Sequence, residues 1–80
     1  MIIDPTGLSA VEWCNRVSGE LSSLVSPFPL RRERDWKIWA RNVVRVPAVS
    51  AVSPPNPDAF EDWRDWAFRF NQAIYSLTGD

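Results

Sequence analysis

The stretch Asp35-Trp-Lys-Ile-Trp-Ala40 returns later in the chain as Asp62-Trp-Arg-Asp-Trp-Ala67. Four of the six positions are identical, and a fifth exchanges lysine for arginine. Tryptophans three residues apart lie on one face of an α-helix, and the alanine four residues after the first of them lets another backbone approach closely. An aspartate in the first turn suits the positive end of the helix macrodipole. The repeat therefore predicts two helices that pack against each other with interlocked indoles.

Apolar residues on both sides of the repeat recur at steps of three and four, which is the period of a helix face. A capping-box pattern at Ser9 and Glu12 predicts the start of an earlier helix, and the prolines of residues 26–30 predict its end. The predicted helices span about residues 9–25, 32–45 and 58–77. No strand is expected. The sequence therefore predicts an all-α fold, a single small three-helix domain over residues 1–80.

Residues 46–57 form a proline-rich connection between the second and third predicted helices. Helices of a bundle are usually joined by about 2–8 residues, so this connection is long. Its prolines favour a stiff, extended path. Two interpretations are open: a connector packed on its own domain, or an arm that lies along a neighbouring protein with Val49 and Val52 as its apolar contacts.

The composition offers little for catalysis or for metal binding. The 80 residues include one cysteine, no histidine and three glycines. One thiol forms no internal disulfide and cannot provide the four ligands of a structural zinc site, and the usual general base is missing. Cys14 lies on the apolar stripe of the first helix, which predicts a buried structural thiol. We expect no enzymatic activity, no cofactor, no metal and no small-molecule substrate.

The ends and the total charge indicate where the protein is made. The first residues lack the basic start and the apolar run of a signal peptide, and no apolar stretch approaches the roughly 20 residues of a membrane span. The formal charge of −1 gives no global attraction to anionic membranes or nucleic acid. We therefore expect a protein assembled in the cytoplasm, without a membrane partner.

Charge is divided unevenly between the two copies of the repeat. Residues 31–45 contain six basic and two acidic side chains, whereas residues 58–69 contain four acidic and two basic ones. These charges pair between helices, pair between copies of the protein, or are ordinary solvated surface. A nucleic-acid site is a lesser alternative that the acidic third helix argues against. It would use Arg31, Arg32, Arg34, Lys37 and Arg41.

The tryptophans of the repeat have two interpretations, as core or as anchors for a partner. Trp and Arg dominate the energetics of many protein interfaces. Trp66 is the favoured anchor because Trp63, Ala67 and Phe70 already fill the core stripe of the third helix. The candidate interface residues are Trp36, Trp39, Trp63, Trp66, Arg31, Arg32, Arg34, Val49 and Val52.

Several short motifs together carry a family resemblance. They are Glu12-Trp-Cys14, the first copy of the repeat with Val46-Pro-Ala48 after it, Pro55-Asn-Pro57, the second copy of the repeat, and Phe70-Asn71. With them the chain resembles a group of short, uncharacterised virion structural proteins of tailed bacteriophages, over most of residues 8–74. The resemblance implies a small structural component at the neck, tail or fibre attachment, present in several symmetric copies. Its partners would be other virion proteins and copies of itself.

Two docking hypotheses follow from the residues and the resemblance. The first is a non-catalytic adaptor between larger virion proteins, and it predicts that Trp66→Ala yields a folded chain that no longer joins its assembly. The second is a small phage-encoded protein that binds and modulates one host protein. Presence in mature particles, or absence from them with a stable host complex, separates the two hypotheses.

Overall fold

The structure is a computed structural model that describes residues 3–21 and 30–78. These residues form four α-helices and two 3-10 turns, and none of them is in a strand. The α-helices are α1 (Ala10–Glu20), α2 (Trp36–Val44), α3 (Pro47–Ser50) and α4 (Trp63–Thr78), and the 3-10 turns are Glu33–Asp35 and Pro57–Ala59. The predicted all-α fold is confirmed.

The start of α1 is the predicted capping box. The Ser9 hydroxyl accepts a hydrogen bond from the Glu12 backbone N–H at 3.2 Å, and the Glu12 carboxylate accepts one from the Ser9 N–H at 3.1 Å. This exchange satisfies two backbone donors that the first turn of a helix leaves without partners. The predicted continuation of this helix to residue 25, and the break expected at 26–30, fall mostly on residues 22–29, which lie outside the described residues.

The second and fourth α-helices each begin at the first tryptophan of a repeat copy. Asp35 is the N-cap residue of α2, and the Asp62 carboxylate accepts a hydrogen bond from the Arg64 N–H at the start of α4. The third predicted helix therefore begins later than residue 58. The reason is local: the turn Pro57–Ala59, capped by Asn56, ends at Phe60 in an extended conformation. The chain leaves helical geometry there and re-enters it at Trp63.

The connection over residues 46–57 contains more regular structure than the extended path that its prolines predicted. Pro47 occupies the first position of the short helix α3, where its fixed φ fits and its missing N–H is not needed. Ser53 then turns the chain with a φ of 54°. Both α3 and the turn Pro57–Ala59 pack beside α2. The segment therefore folds back on its own chain.

Tryptophan rings form the centre of the core. The Trp13 ring lies 5.9–6.1 Å, between centroids, from the rings of Trp39, Trp63, Trp66 and Phe70. Three of these four contacts are edge-to-face, an arrangement that aromatic pairs favour. The other buried apolar side chains of the cluster are Ala10, Cys14, Val17, Leu21, Leu30, Trp36, Ala40, Val43, Val49, Ala67 and Ile74. A single aromatic cluster thus holds α1, α2 and α4 together.

Candidate protein-interaction surfaces

All four tryptophans of the repeat are in the core. Trp66, the residue predicted to be an exposed anchor, is 1% exposed, and Trp36, Trp39 and Trp63 are also buried. The anchor hypothesis is therefore wrong for these side chains. The apolar face of α4 is wider than a three-and-four stripe, because Trp66 is covered by the rings of Trp36 at 5.9 Å and Trp39 at 6.3 Å.

Three of the buried indole N–H groups, those of Trp13, Trp39 and Trp66, have acceptors within the chain. The Trp66 N–H donates to the Pro55 carbonyl at 3.0 Å, and the Trp39 N–H donates to the Ser18 hydroxyl at 3.1 Å. The Trp13 N–H donates to the Ile3 carbonyl at 2.8 Å. A buried donor with a partner does not need one from outside. The indole N–H groups of these three tryptophans are therefore satisfied within the chain.

The two valines proposed as contacts of an extended arm lie against their own domain. Val49 is fully buried, and Val52 is partly buried against the same core. The prediction that they contact a neighbouring protein is wrong for Val49, because α3 turns its side chain inward. Val52 presents only part of its surface. The segment is a packed connector in this fold.

The three predicted interface arginines lie on the surface. Arg31, Arg32 and Arg34 are exposed, in the extended entry to α2 and in its 3-10 turn. None of them forms an ion pair with a described carboxylate, whereas Arg41 pairs with Asp58. These three arginines therefore stay candidate contacts for a partner, as predicted from the sequence.

One ion pair joins the basic and the acidic halves of the chain. The Arg41 Nε lies 3.0 and 3.1 Å from the two carboxylate oxygens of Asp58. This bond lowers the pKa of Asp58 and raises the pKa of Arg41. Both side chains are about half exposed, so solvent screens the pair. Charge pairing between helices, one of the predicted uses of the charges, therefore occurs at this position.

The outward face of α2 is cationic and contains one large apolar side chain. We call this the α2 face, and it consists of Arg34, Ile38, Arg41, Asn42 and Arg45. Ile38 is 49% exposed, and no acidic residue occurs within Trp36–Val44. Arg34 and Arg45 have no ion-pair partner in the part of the chain that the structure describes. An exposed apolar residue among arginines is typical of a protein interface.

A groove runs along the outward side of α4. This α4 groove has a volume of about 540 Å³ and is lined by Asp4, Phe68, Asn71, Gln72 and Tyr75. Phe68 is 46% exposed and Tyr75 55% exposed. Residues seven apart on a helix share a face at a separation of roughly 10 Å, so the two rings flank an opening between them. The backbone N–H of Thr6 donates to the Asp4 carboxylate and lowers its pKa, so this carboxylate is ionised at neutral pH.

The first described residues are held at this groove by one shared acceptor. The Ile3 carbonyl accepts a hydrogen bond from the Asn71 side-chain amide at 3.0 Å and another from the Trp13 indole. Asn71 is almost fully buried, and its Oδ1 has no hydrogen-bond partner. A buried acceptor without a partner calls for a specific explanation. Asn71 therefore holds the first segment through its amide N–H, while its enclosed Oδ1 is left without a partner among the described residues.

Residue types that could carry reaction chemistry are not gathered in the described part of the chain. Burial raises the pKa of the Cys14 thiol to about 12, so it is protonated and weakly nucleophilic at neutral pH. Among residues 3–21 and 30–78, no group of three or more His, Cys, Asp or Glu side chains is placed to hold a metal ion. No described helix is both long enough and apolar enough to cross a membrane.

The exposed large hydrophobic residues of these two surfaces were not among the predicted interface residues, whereas Arg34 of the α2 face was. Ile38, Phe68 and Tyr75 are the exposed large hydrophobic residues of the described chain. A sequence signal for them existed, because each falls off the apolar stripe of its helix. Asp4 and Asn71 gave no such signal, since a contact across 68 residues brings the first segment to α4.

Comparison with known proteins adds no relative to this description. No family model, no curated protein and no solved structure matches the chain. Its function is therefore inferred from its own sequence and geometry.

Proposed function

We propose that this protein is a non-catalytic adaptor that docks between larger proteins, in the virion of a tailed phage at the neck, tail or fibre attachment. The observation that carries the docking role is the presence of two outward surfaces of unlike chemistry, the α2 face and the α4 groove. The virion location is supported by the motif resemblance alone. Other virion proteins and copies of the chain itself are the proposed partners.

The arrangement of the core suits an adaptor. Both surfaces lie on helices whose inner sides are fixed by the tryptophan cluster, so the exposed side chains are presented from rigid elements. Rigid presentation reduces the ordering entropy lost on binding. The aromatic and arginine side chains on these surfaces are types enriched in interfaces. A small chain with two such surfaces can contact two neighbours at once.

The test is quantitative mass spectrometry of purified particles, scaled to a capsid protein of known copy number. A fixed ratio of this chain to the capsid protein is the expected result. Phe68→Glu and Ile38→Glu should reduce the amount in the particles, because each places a charge in a docking surface. Ala51→Glu is the matched control, since it adds the same charge at an exposed position that belongs to neither surface.

Two results would contradict the proposal. One is a chain that is abundant in infected cells and absent from particles, which favours the host-binding alternative. The other is normal incorporation of both Phe68→Glu and Ile38→Glu, because an adaptor that docks through these surfaces cannot tolerate both changes.

A further inference from the structure

The α2 face and the α4 groove have complementary features. The α2 face offers one branched aliphatic side chain, Ile38, surrounded by cations. The α4 groove offers an opening between Phe68 and Tyr75 with the Asp4 carboxylate at its edge. Two further exposed carboxylates precede Phe68 in the chain: Asp65 in the first turn of α4, and Glu61 just before that helix begins. One surface is therefore positive around an apolar projection, and the other is apolar within a segment, residues 58–69, that contains four acidic side chains and two basic ones, Arg64 and Arg69.

We propose that the α2 face of one copy packs antiparallel on the α4 groove of a second copy, with Ile38 against Phe68. The partner of both surfaces is then the protein itself, which deepens the proposed adaptor function and rests on its docking role. Such a contact joins different surfaces of two copies, so repetition can close a ring. Contacts of this size are weak individually, and a closed ring combines several of them.

The antiparallel direction follows from the order of charges along the two helices. In an antiparallel pair, a residue a given number of positions after Ile38 meets one the same number before Phe68. Three positions along, Arg41 meets Asp65, and Arg45 at the end of α2 then lies toward Glu61, which precedes α4. Four positions the other way, Arg34 meets Gln72, which lines the groove together with Asp4.

The parallel direction would oppose like charges. With Ile38 again on Phe68, Arg34 would meet Arg64, and Arg45 would meet Tyr75. Arg64 is held in its own chain, where its guanidinium lies 4.9 Å from the Trp63 ring and donates to the Leu8 carbonyl. It would therefore remain opposite Arg34 as an uncompensated cation. Like charges across an interface disfavour binding.

The groove offers a carboxylate to an arginine of a second copy. Arg34 of the second copy would reach the groove beside Asp4 and Gln72, where Asn71 also contributes to the lining. A guanidinium carries five N–H donors in a fixed fork. These donors can bind the exposed Asp4 carboxylate at the edge of the groove.

The experiment measures self-association of the purified chain by sedimentation velocity over a wide range of concentrations. The expected result is a wild-type chain that associates reversibly as its concentration rises. Ile38→Glu and Phe68→Glu should each weaken that association roughly tenfold or more, whereas the Ala51→Glu control should not. Far-ultraviolet circular dichroism confirms that each variant is folded.

Mixing the two variants gives the decisive result. Ile38→Glu keeps an intact groove and Phe68→Glu keeps an intact α2 face, so an equimolar mixture should recover association, limited to one-to-one pairs. If the mixture remains monomeric, α2 does not contact α4 and the proposal is overturned.

Two further readouts use charge and the wild-type chain alone. Arg45→Glu should weaken association, and adding Glu61→Arg to the opposite copy should restore it. Failure of that restoration would overturn the antiparallel register. A wild-type chain that is monomeric at every concentration would overturn self-docking altogether. That result would leave the adaptor function to the separate measurement of its amount in particles.

Discussion

The two copies of the repeat are nearly identical on their inward sides. Trp36 and Trp63 each begin an α-helix and are each 7% exposed, and the second tryptophan of each copy is at most 1% exposed. The basic residue after the first tryptophan also behaves alike, since Lys37 lies 5.7 Å and Arg64 4.9 Å from the neighbouring indole ring. The two copies of the repeat therefore pack in the same way, each at the start of its helix.

The outward sides of the same two copies are different. Ile38 of the first copy corresponds to Asp65 of the second, and three positions later Arg41 corresponds to Phe68. One helix thus presents an apolar residue followed by a cation, and the other an anion followed by an apolar residue. Packing restricts what a buried position can be, whereas an exposed position is free to vary. We therefore assign the proposed docking to the outward residues of the repeat.

The largest expected effect comes from breaking the inward side of the second copy. Trp66 contacts the rings of Trp13, Trp36, Trp39 and Phe70, including a stacked contact at 4.7 Å to Phe70. Removing a buried tryptophan costs about 3–5 kcal/mol, which is comparable with the whole stability of about 3–5 kcal/mol expected for so small a domain. Trp66→Ala should therefore unfold the chain, as measured by circular dichroism and urea titration.

This expectation replaces the sequence-based one, in which Trp66→Ala left a folded chain. Trp39→Ala is the comparison within the repeat, because the Trp39 ring contacts Trp13 and Trp66 and its N–H donates to Ser18. We expect it to destabilise less than Trp66→Ala. A Trp66→Ala chain with native circular dichroism and a cooperative urea transition would show that the indole is not a core residue.

A smaller effect should follow from enlarging the alanine of each copy. Ala40 and Ala67 are both fully buried, so the larger side chain of leucine must displace close-packed neighbours. Such overpacking costs about 1–3 kcal/mol. Ala40→Leu and Ala67→Leu should each lower the free energy of unfolding by a similar amount in urea titrations. A cost at one position only would mean that the two copies differ in their packing after all.

Local patterns were sufficient for those parts of the fold that local chemistry determines. The capping box at Ser9 and Glu12 and the shared helix face of Trp36 and Trp39 follow from spacing within a single helix, whereas spacing left open whether that face is core or interface. The turn Pro57–Ala59 also has a local cause, because the Asn56 side chain caps its start, but the extended Phe60 after it has no signal in the sequence. Propensity does not reveal where a chain leaves helical geometry and re-enters it.

The misplaced residues depend on contacts between distant segments. Trp66 is buried because α2 covers a second side of α4, and Val49 is buried because α3 folds back beside α2. The α4 groove exists because the Ile3 carbonyl binds both Trp13 and Asn71. A periodicity describes one helix at a time, so it cannot show how wide a face its neighbours cover or which terminus lies beside it.

Exchanging the outward residues of the two copies should separate docking from folding. Ile38→Asp and Asp65→Ile place each residue at the equivalent position of the other copy, and both positions are exposed. Surface substitutions of this kind change stability by about 0.5 kcal/mol or less, so the urea midpoint should stay near that of the wild type. Ile38→Asp should nevertheless reduce self-association in sedimentation velocity. Loss of stability without loss of association would reverse the assignment of roles to the two sides.

The smallest expected effect concerns the ion pair that only the first copy has. Arg41 binds Asp58, and Phe68 takes the equivalent place in the second copy. Because the bond lowers the pKa of Asp58 below the value of an unpaired aspartate, its stabilisation is present above that ordinary pKa and is lost as the pH falls through the lower folded-state pKa. Arg41→Gln should therefore destabilise slightly at neutral pH and not in strong acid, and added salt should shrink the difference. Urea titrations at both pH values measure it, with Arg16→Gln as the control for a lost surface cation. An effect that is equally large in strong acid would show that Arg41 acts through the packing of its aliphatic stem on α2 and not through its charge.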